Sequence, residues 1–237
     1  MIYNLRMNQI SLQFLDTFKI IEEKLNLLAG FSKHLNFPEL VEQTAKINTI
    51  VRDCKYDLLR FSDLRNLLVH GEEILQVSPL ALEKINKILN LLEKPPTVAQ
   101  VFGKSVTICD YEDPLLDVLN IMRNNLFTHI PVYKKGKFYG VISEAAVASW
   151  VAGLKNGRIE LAALKISDLG NYLKNRPDEI YKFTNQHESA YEVRDWFLHF
   201  TESGSRLGAV FITPTGNQDE PLLGIITAWD IPKIKEV

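Results

Sequence analysis

The sequence predicts an α+β protein, an all-α helical bundle followed by a tandem pair of β-α-β-β-α repeats, and three observations carry that expectation. Apolar residues recur at helical spacing over the first ninety or so positions. The pair Pro95-Pro96 then forbids continuation of the last helix. Beyond it, short β-type runs alternate with helices, and the same order of parts occurs twice. The expected limits are 1–94 for the helical domain, 97–160 for the first repeat and 163–237 for the second.

In the helical part, Phe14, Phe18, Ile21, Leu25 and Leu28 form one stripe, and Gly30 stops that helix. Pro38 opens the next at its first turn, where a missing N–H costs nothing, and its stripe runs Ile47, Ile50, Cys54, Leu58, Phe61. A short segment from Ser62 to His70 is expected to follow and to end at Gly71. A last helix carries Leu82, Ile85, Leu89 and Leu92.

The first repeat begins at Thr97 to Phe102, passes a β-like Ser105 to Ile108 and reaches a helix through Val118, Leu119 and Met122. The strand Ile130 to Tyr133, a turn at Lys135-Gly136-Lys137, the strand Phe138 to Ser143 and another helix complete it. The second repeat restarts at Lys165 to Leu169, has its helix around Tyr191 to Phe200 and its strand at Leu207 to Ile212, and ends on Leu223 to Asp230. Thr213 to Pro221, with Pro, Gly, Asn and Asp, reads as a surface excursion.

Composition narrows the function classes. At 237 residues the chain has room for two or three modules. A formal net charge of -2 supplies no global field to recruit nucleic acid or a membrane surface, so neither DNA nor a membrane is an expected partner. The two cysteines, Cys54 and Cys109, lack zinc-ligand spacing and read as core thiols of a reducing compartment; no metal site is expected. No stretch has the pattern of a signal peptide or a bilayer span, and the expected location is the cytoplasm.

The repeated leader segments, His129-Ile130-Pro131-Val132, the strands Gly140 to Ser143 and Gly224 to Thr227, and Asp230 together resemble the CBS-domain (Bateman) family from about Thr97 onward. In that family two repeats pack sheet to sheet and leave two clefts for adenosine nucleotides or related adenosyl ligands. The resemblance therefore implies AMP, ADP, ATP or an adenosyl relative as a regulatory ligand. Thr227 ends a strand and Asp230 begins a helix, so a hydroxyl and a carboxylate project beside backbone N–H groups, an edge that suits a sugar and its phosphate. Arg206 stands where phosphate-binding members often carry a basic residue, with His129 as its counterpart in the first repeat. Ile108, Ile130, Phe183 and Ile225 are the candidate apolar walls for the base. The plain alternative is that Thr227 and Asp230 only cap the final helix, and that His129 is an ordinary surface or core histidine.

Two departures from the family pattern stand out. The first repeat has Ala146 where the acidic residue would stand, which leaves its cleft empty or structural. Trp229 precedes Asp230 where a small hydroxyl residue is usual, and its indole either stacks on a base or fills the cleft.

In the helical part, Asp63-Leu64-Arg65-Asn66-Leu67-Leu68-Val69-His70-Gly71 resembles the Arg-Asn-x-x-x-His signature of HEPN domains, which include metal-independent ribonucleases and many inactive relatives. Residues five apart on a straight helix diverge by about 140°, so Arg65 and His70 share a face only if the helix ends near His70 and frees that side chain. In such a ribonuclease, assembled from two subunits, the histidine acts on the 2′-hydroxyl or the leaving oxygen, the arginine stabilises charge on the phosphate, and Asn66 holds the substrate or the histidine. RNA substrate and homodimer follow from that resemblance. The alternatives are a helix-end charge cluster in which Arg65 pairs with Asp63, Glu72 or Glu73, and a non-catalytic sensor or dimer scaffold whose helical domain binds a partner.

Overall fold

The computed structural model describes residues 7–30, 35–71, 75–154, 160–174, 176 and 179–234. The chain divides into two compact units, one ending at Pro96 and one running from Thr97 to Ile234.

The first unit is helical: α1 (Gln9–Ala29), α2 (Phe37–Thr44), α3 (Thr49–His70) and α4 (Pro79–Glu93). Each helix opens on a side chain that accepts from a backbone N–H of its first turn. Asn8 takes the N–H of Ser11, Asn36 that of Glu39, Asn48 that of Val51 and Ser78 that of Ala81. Gly30, at φ 61°, ends α1 in the left-handed conformation that glycine tolerates. The stripe of α1 buries Phe14, Phe18, Ile21 and Leu25, and Phe14 meets Phe61 of α3 edge to face at 5.5 Å between ring centroids. A part-buried polar pair links α1 to α4: the Thr17 hydroxyl donates to Asn86 Oδ1 at 2.9 Å.

Two sequence expectations need correction. The helix opened by Pro38 is two helices, because the chain turns at 45–48 and Asn48 caps a new start; Ile47, assigned to the buried stripe, is 63% exposed. Ser62 to His70 is no separate segment but the C-terminal part of α3, since nothing between Phe61 and Ser62 breaks a helix.

The second unit holds two three-stranded sheets of one topology. In the first, β1 (Cys109–Asp110) pairs parallel with β2 (His129–Lys134), which pairs antiparallel with β3 (Lys137–Ser143). In the second, β4 (Ile180–Asn185) is parallel to β5 (Leu207–Thr213), which is antiparallel to β6 (Gly224–Ile226). Helices α6 (Leu115–Asn125) and α8 (Ala190–Glu202) supply the crossover that a parallel strand pair requires. A further helix, α7 (Glu144–Ala152), follows β3, and a 3₁₀ turn at Ala228–Lys233 follows β6. The β2–β3 turn puts Lys135 at φ 52° and Gly136 at φ 74°, the positive pair of a tight hairpin. Ser105 to Ile108, expected as a strand, is irregular, and the strand itself is only β1.

The leaders of the two repeats are exchanged. The first, α5 (Val98–Phe102), joins the second repeat: Val98 N–H donates to Glu188 O at 2.8 Å and Lys104 N–H to Leu223 O at 3.0 Å. The second, a 3₁₀ segment at Ile166–Leu173, joins the first repeat through Ile166 N–H to Asp113 O at 3.0 Å. It buries Ile166, Leu169 and Leu173 in the core of Leu115, Val118, Ile130, Val132 and Ile142. The two sheets meet on Val141, Ala209 and Phe211, with Phe138, Tyr181 and Phe183 packed against them. Phe138 stands edge-on to Phe183 at 4.9 Å between centroids. Among the described residues no helix is long and apolar enough to cross a membrane.

Candidate functional site

The leader exchange opens a cleft between parts of both repeats, with a volume of about 1020 Å³. The irregular segment Lys104 to Thr107, the end of α6 with Arg123, Phe127 to His129, the start of α7 with Glu144, and the chain from Ile225 to Asp230 surround it. Apolar side chains, among them Leu119, Met122, Val147 and Ile225, line it, and the charged residues of its lining are Lys104, Arg123, Glu144 and Asp230.

Asp230 is held by its own turn. Its Oδ2 accepts from the backbone N–H and from the hydroxyl of Thr227, both at 2.9 Å, and Lys233 donates to Oδ1. Burial pushes the carboxyl up, but the Lys233 contact and the two Thr227 hydrogen bonds outweigh it and hold Asp230 below the 3.8 of an ordinary aspartate. The cap reading and the binding reading thus describe one geometry: the cap fixes an ionised carboxylate at the rim. Each carboxylate oxygen has two lone pairs, so the cap leaves acceptor capacity. Trp229 lies at the mouth and is 81% exposed, so its indole does not fill the cleft.

Of the residues singled out in the sequence, Thr227, Asp230, Ile225 and His129 come together here. Arg206 is exposed and lines no part of this cleft. The basic residues that line the cleft are instead Arg123 of α6 and Lys104, just after α5. Phe183 lies between the sheets, Ile130 in the first-repeat core, and Ile108 is 51% exposed beside the cleft rather than in it. Lys104 and Arg123, which line the cleft, were not singled out: Lys104 stands just before the run Ser105 to Ile108 that reads as β-like, and Arg123 sits in an otherwise ordinary amphipathic helix.

His129 is spent on other partners. Its Nδ1 is 2.8 Å from Thr128 Oγ1, and its Nε2 is 3.2 Å from Glu179 Oε1. An ionised carboxylate only accepts, so Nε2 carries the hydrogen, and in the neutral ring the Thr128 hydroxyl donates to Nδ1. The imidazole therefore contributes wall rather than a free N–H. Glu179 also receives Ser143 Oγ at 2.5 Å and Arg176 at 3.2 Å. Burial pushes Glu179 up, yet the hydrogen bonds of His129 and Ser143 and the neighbouring positive charges place it below the 4.5 of an ordinary glutamate. The sequence reading named neither Ser143 nor Glu179 as a site residue.

In the helical unit the three singled-out residues lie on one unbroken helix. Arg65 donates to Asn66 Oδ1 at 3.2 Å, and His70 is exposed in the last turn of α3. The helix does end next to Gly71, but His70 is still inside it. Among the described residues no hydrogen bond links Arg65 or Asn66 to His70. Glu72 and Glu73, named as partners for Arg65, lie outside the described residues. Among the described residues no group of three or more His, Cys, Asp or Glu could hold a metal ion.

No curated protein matches the chain. Among solved structures it is similar to a protein with CBS domains from Burkholderia ambifaria MC40-6, at 17% identity and a TM-score of 0.44, over 58% of this chain and 92% of that one. It is similar to the CBS domain pair of protein MJ0100 in complex with 5′-methylthioadenosine and S-adenosyl-L-methionine, at 17% identity and a TM-score of 0.41, over 59% of this chain and 95% of that one. A third is the CBS domain of the bacterial CNNM/CorC family Mg2+ transporter in complex with ATP, at 16% identity and a TM-score of 0.41, over 66% and 96%. The family model that matches this chain, over residues 98–153, is that of the CBS domain.

Proposed function

We propose that this chain is a regulatory protein that binds an adenine nucleotide or related adenosyl ligand in the cleft rimmed by Thr227 and Asp230. The observation that carries this reading is the preset Asp230 carboxylate, ionised and held by its cap in a roomy cleft that Arg123 and Lys104 also line. Ribose hydroxyls donate to Asp230, phosphate oxygens take Arg123 and Lys104, and the base lies on the apolar floor beside Trp229. The volume falls at the upper end of small-molecule sites, enough for a whole nucleotide. The CBS match over 98–153 supports the same ligand class, since solved CBS domains include complexes with ATP, S-adenosyl-L-methionine and 5′-methylthioadenosine.

The helical unit is the output of the sensor, and ligand occupancy biases what it does. Its resemblance to HEPN domains offers two outputs, RNA cleavage at a site shared by two chains and binding of a partner. The run of α3 through His70 favours the second, because Arg65 and His70 stand about 140° apart around one helix. A homodimer and a cytoplasmic setting belong to the proposal as well.

The deciding experiment is to denature a freshly purified preparation and identify the released small molecules by mass spectrometry. In parallel, AMP, ADP, ATP and 5′-methylthioadenosine are tested by thermal unfolding of the ligand-free chain. An adenosyl compound in the extract, or a rise in melting temperature with one of the four, is expected. Neither appearing at millimolar ligand would overturn the proposal.

A further inference from the structure

The two repeats end their third strands alike, Gly140 to Ser143 and Gly224 to Thr227, yet the chain beyond differs. After Thr227 comes Asp230, whose carboxylate accepts the Thr227 hydroxyl at 2.9 Å. After Ser143, at the matching place, comes Ala146, which has no carboxylate; its N–H donates to Ser143 Oγ at 2.9 Å.

A carboxylate is nevertheless bound to Ser143. It belongs to Glu179, which precedes β4 in the other repeat and accepts the Ser143 hydroxyl at 2.5 Å. Glu179 is 9% exposed and meets two further donors, His129 Nε2 and Arg176, each at 3.2 Å. Where Asp230 faces a cleft of about 1020 Å³, the space beside Glu179, His129 and Ala209 is about 10 Å³, room for one water at most. The neighbouring backbone is adapted to this arrangement. A Cβ on Gly208 would sit 2.7 Å from His129 Nε2 and 3.1 Å from Glu179 Cγ, so any side chain there would push His129 out of its place.

We infer that Glu179 is a built-in occupant of the first repeat, a carboxylate that takes the Ser143, His129 and Arg176 donors for itself and shuts that side, so that the chain binds one adenosyl ligand rather than two. The inference rests on the nucleotide reading for its stoichiometry, but the plug stands on the contacts alone. The same donors form a site for a small carboxylate once the Glu179 side chain is gone.

Two measurements on the full chain test it. Equilibrium dialysis with AMP, and with ATP, should give one site per chain, and Asp230→Ala should weaken that one site without revealing another. Two sites, in the wild type or in Asp230→Ala, would overturn the inference. The second measurement needs no nucleotide. Glu179→Ala should melt several degrees below wild type, and sodium formate should recover part of that loss where sodium chloride at equal ionic strength does not. Wild type and Glu179→Gln, whose site is still filled, should gain nothing specific from formate. If formate does no more than chloride for Glu179→Ala, the three donors are not a carboxylate site and the inference fails. Should the alanine variant not fold, the wild-type stoichiometry still decides. Should the wild type bind neither nucleotide, the proposed function fails while the formate comparison still judges the plug.

Discussion

Replacing Asp230 separates its two jobs, because alanine and asparagine remove different parts of the side chain. Alanine deletes the acceptor of the Thr227 N–H, the Thr227 hydroxyl and Lys233. Loss of such a cap costs about 1 kcal/mol of stability. Asparagine keeps one amide oxygen for the Thr227 N–H, so its cost should be only a few tenths of a kcal/mol. It lacks the charge and turns an NH₂ toward Lys233 or the ligand. A hydrogen bond to a charged group contributes about 1.5–3 kcal/mol, and each 1.4 kcal/mol is a factor of ten. Both variants should therefore bind AMP or ATP roughly 10- to 100-fold more weakly, although only alanine lowers the urea midpoint appreciably. Isothermal titration calorimetry at constant ionic strength, paired with urea unfolding, reads both quantities. Asparagine binding with wild-type affinity would refute the assignment of ribose recognition to this carboxylate. Affinity that falls only in step with stability would refute it too, since the residue would then be a cap and nothing more.

Acid stability provides a second test. Glu179 and Asp230 both lie below their ordinary values of 4.5 and 3.8 in the folded chain. The stability they contribute is thus complete above those values and is lost as pH falls through the lower folded ones, where the unfolded chain takes up protons first. Urea midpoints measured downward from about pH 6 should drop below about pH 4.5, and Glu179→Gln should show a shallower drop; an unchanged profile in that variant would contradict the network. Cys54 and Cys109 are both buried, and burial pushes each thiol up to about 12. Ellman's reagent at pH 8 should therefore find neither thiol in the native chain and both in urea. Gly208→Ala forces a Cβ against His129 and should cost about 1–3 kcal/mol, read as a lower melting temperature. Last, nuclease-free protein, with and without AMP or ATP, should leave single-stranded RNA uncut; cleavage that Arg65→Ala and His70→Ala each remove would instead support a site shared between two chains.

The parts legible in the sequence are those whose causes are local. Gly30 ends α1 because only its backbone needs the left-handed region, and Lys135-Gly136 turns the hairpin for the same reason. Thr227 and Asp230 could be paired by eye, since three residues separate a strand end from the first helical turn. The helical stripe misled where it ran past a cap: Ile47 has the right spacing to join Ile50 and Cys54, but Asn48 between them starts a new helix.

What stayed hidden depends on contacts between distant segments. Arg206 was singled out for its place before a strand, where phosphate-binding members of the family often carry a basic residue, but the basic residues that line the Asp230 cleft are Arg123 and Lys104. Phe183 and Ile130 have the right character for a base-binding wall, and the sheet pairing uses them in cores instead. No short-range pattern joins Glu179 to Ser143, because the two meet only after two sheets have packed.

The exchange of leaders also bears on how the chain reaches its fold as it is made. Val98 and Phe102 are synthesised well before the strand that covers them, for the partner of Lys104 is Leu223, close to the end of the described chain. Such long-range pairing is paid in loop entropy before any contact rewards it, and folding dominated by it is slow. Until β6 has emerged, α5 has only the part of its seat made by Gln186, Glu188 and α8, and the rest of its apolar face is open to whatever else is nearby. The second leader is under no such delay, because Asp113 and the rest of its seat are already made when Ile166 appears. The first repeat can thus close its core early, whereas the second waits for its last strand, so a chain halted before Leu223 would hold one finished core and one half-covered hydrophobic helix.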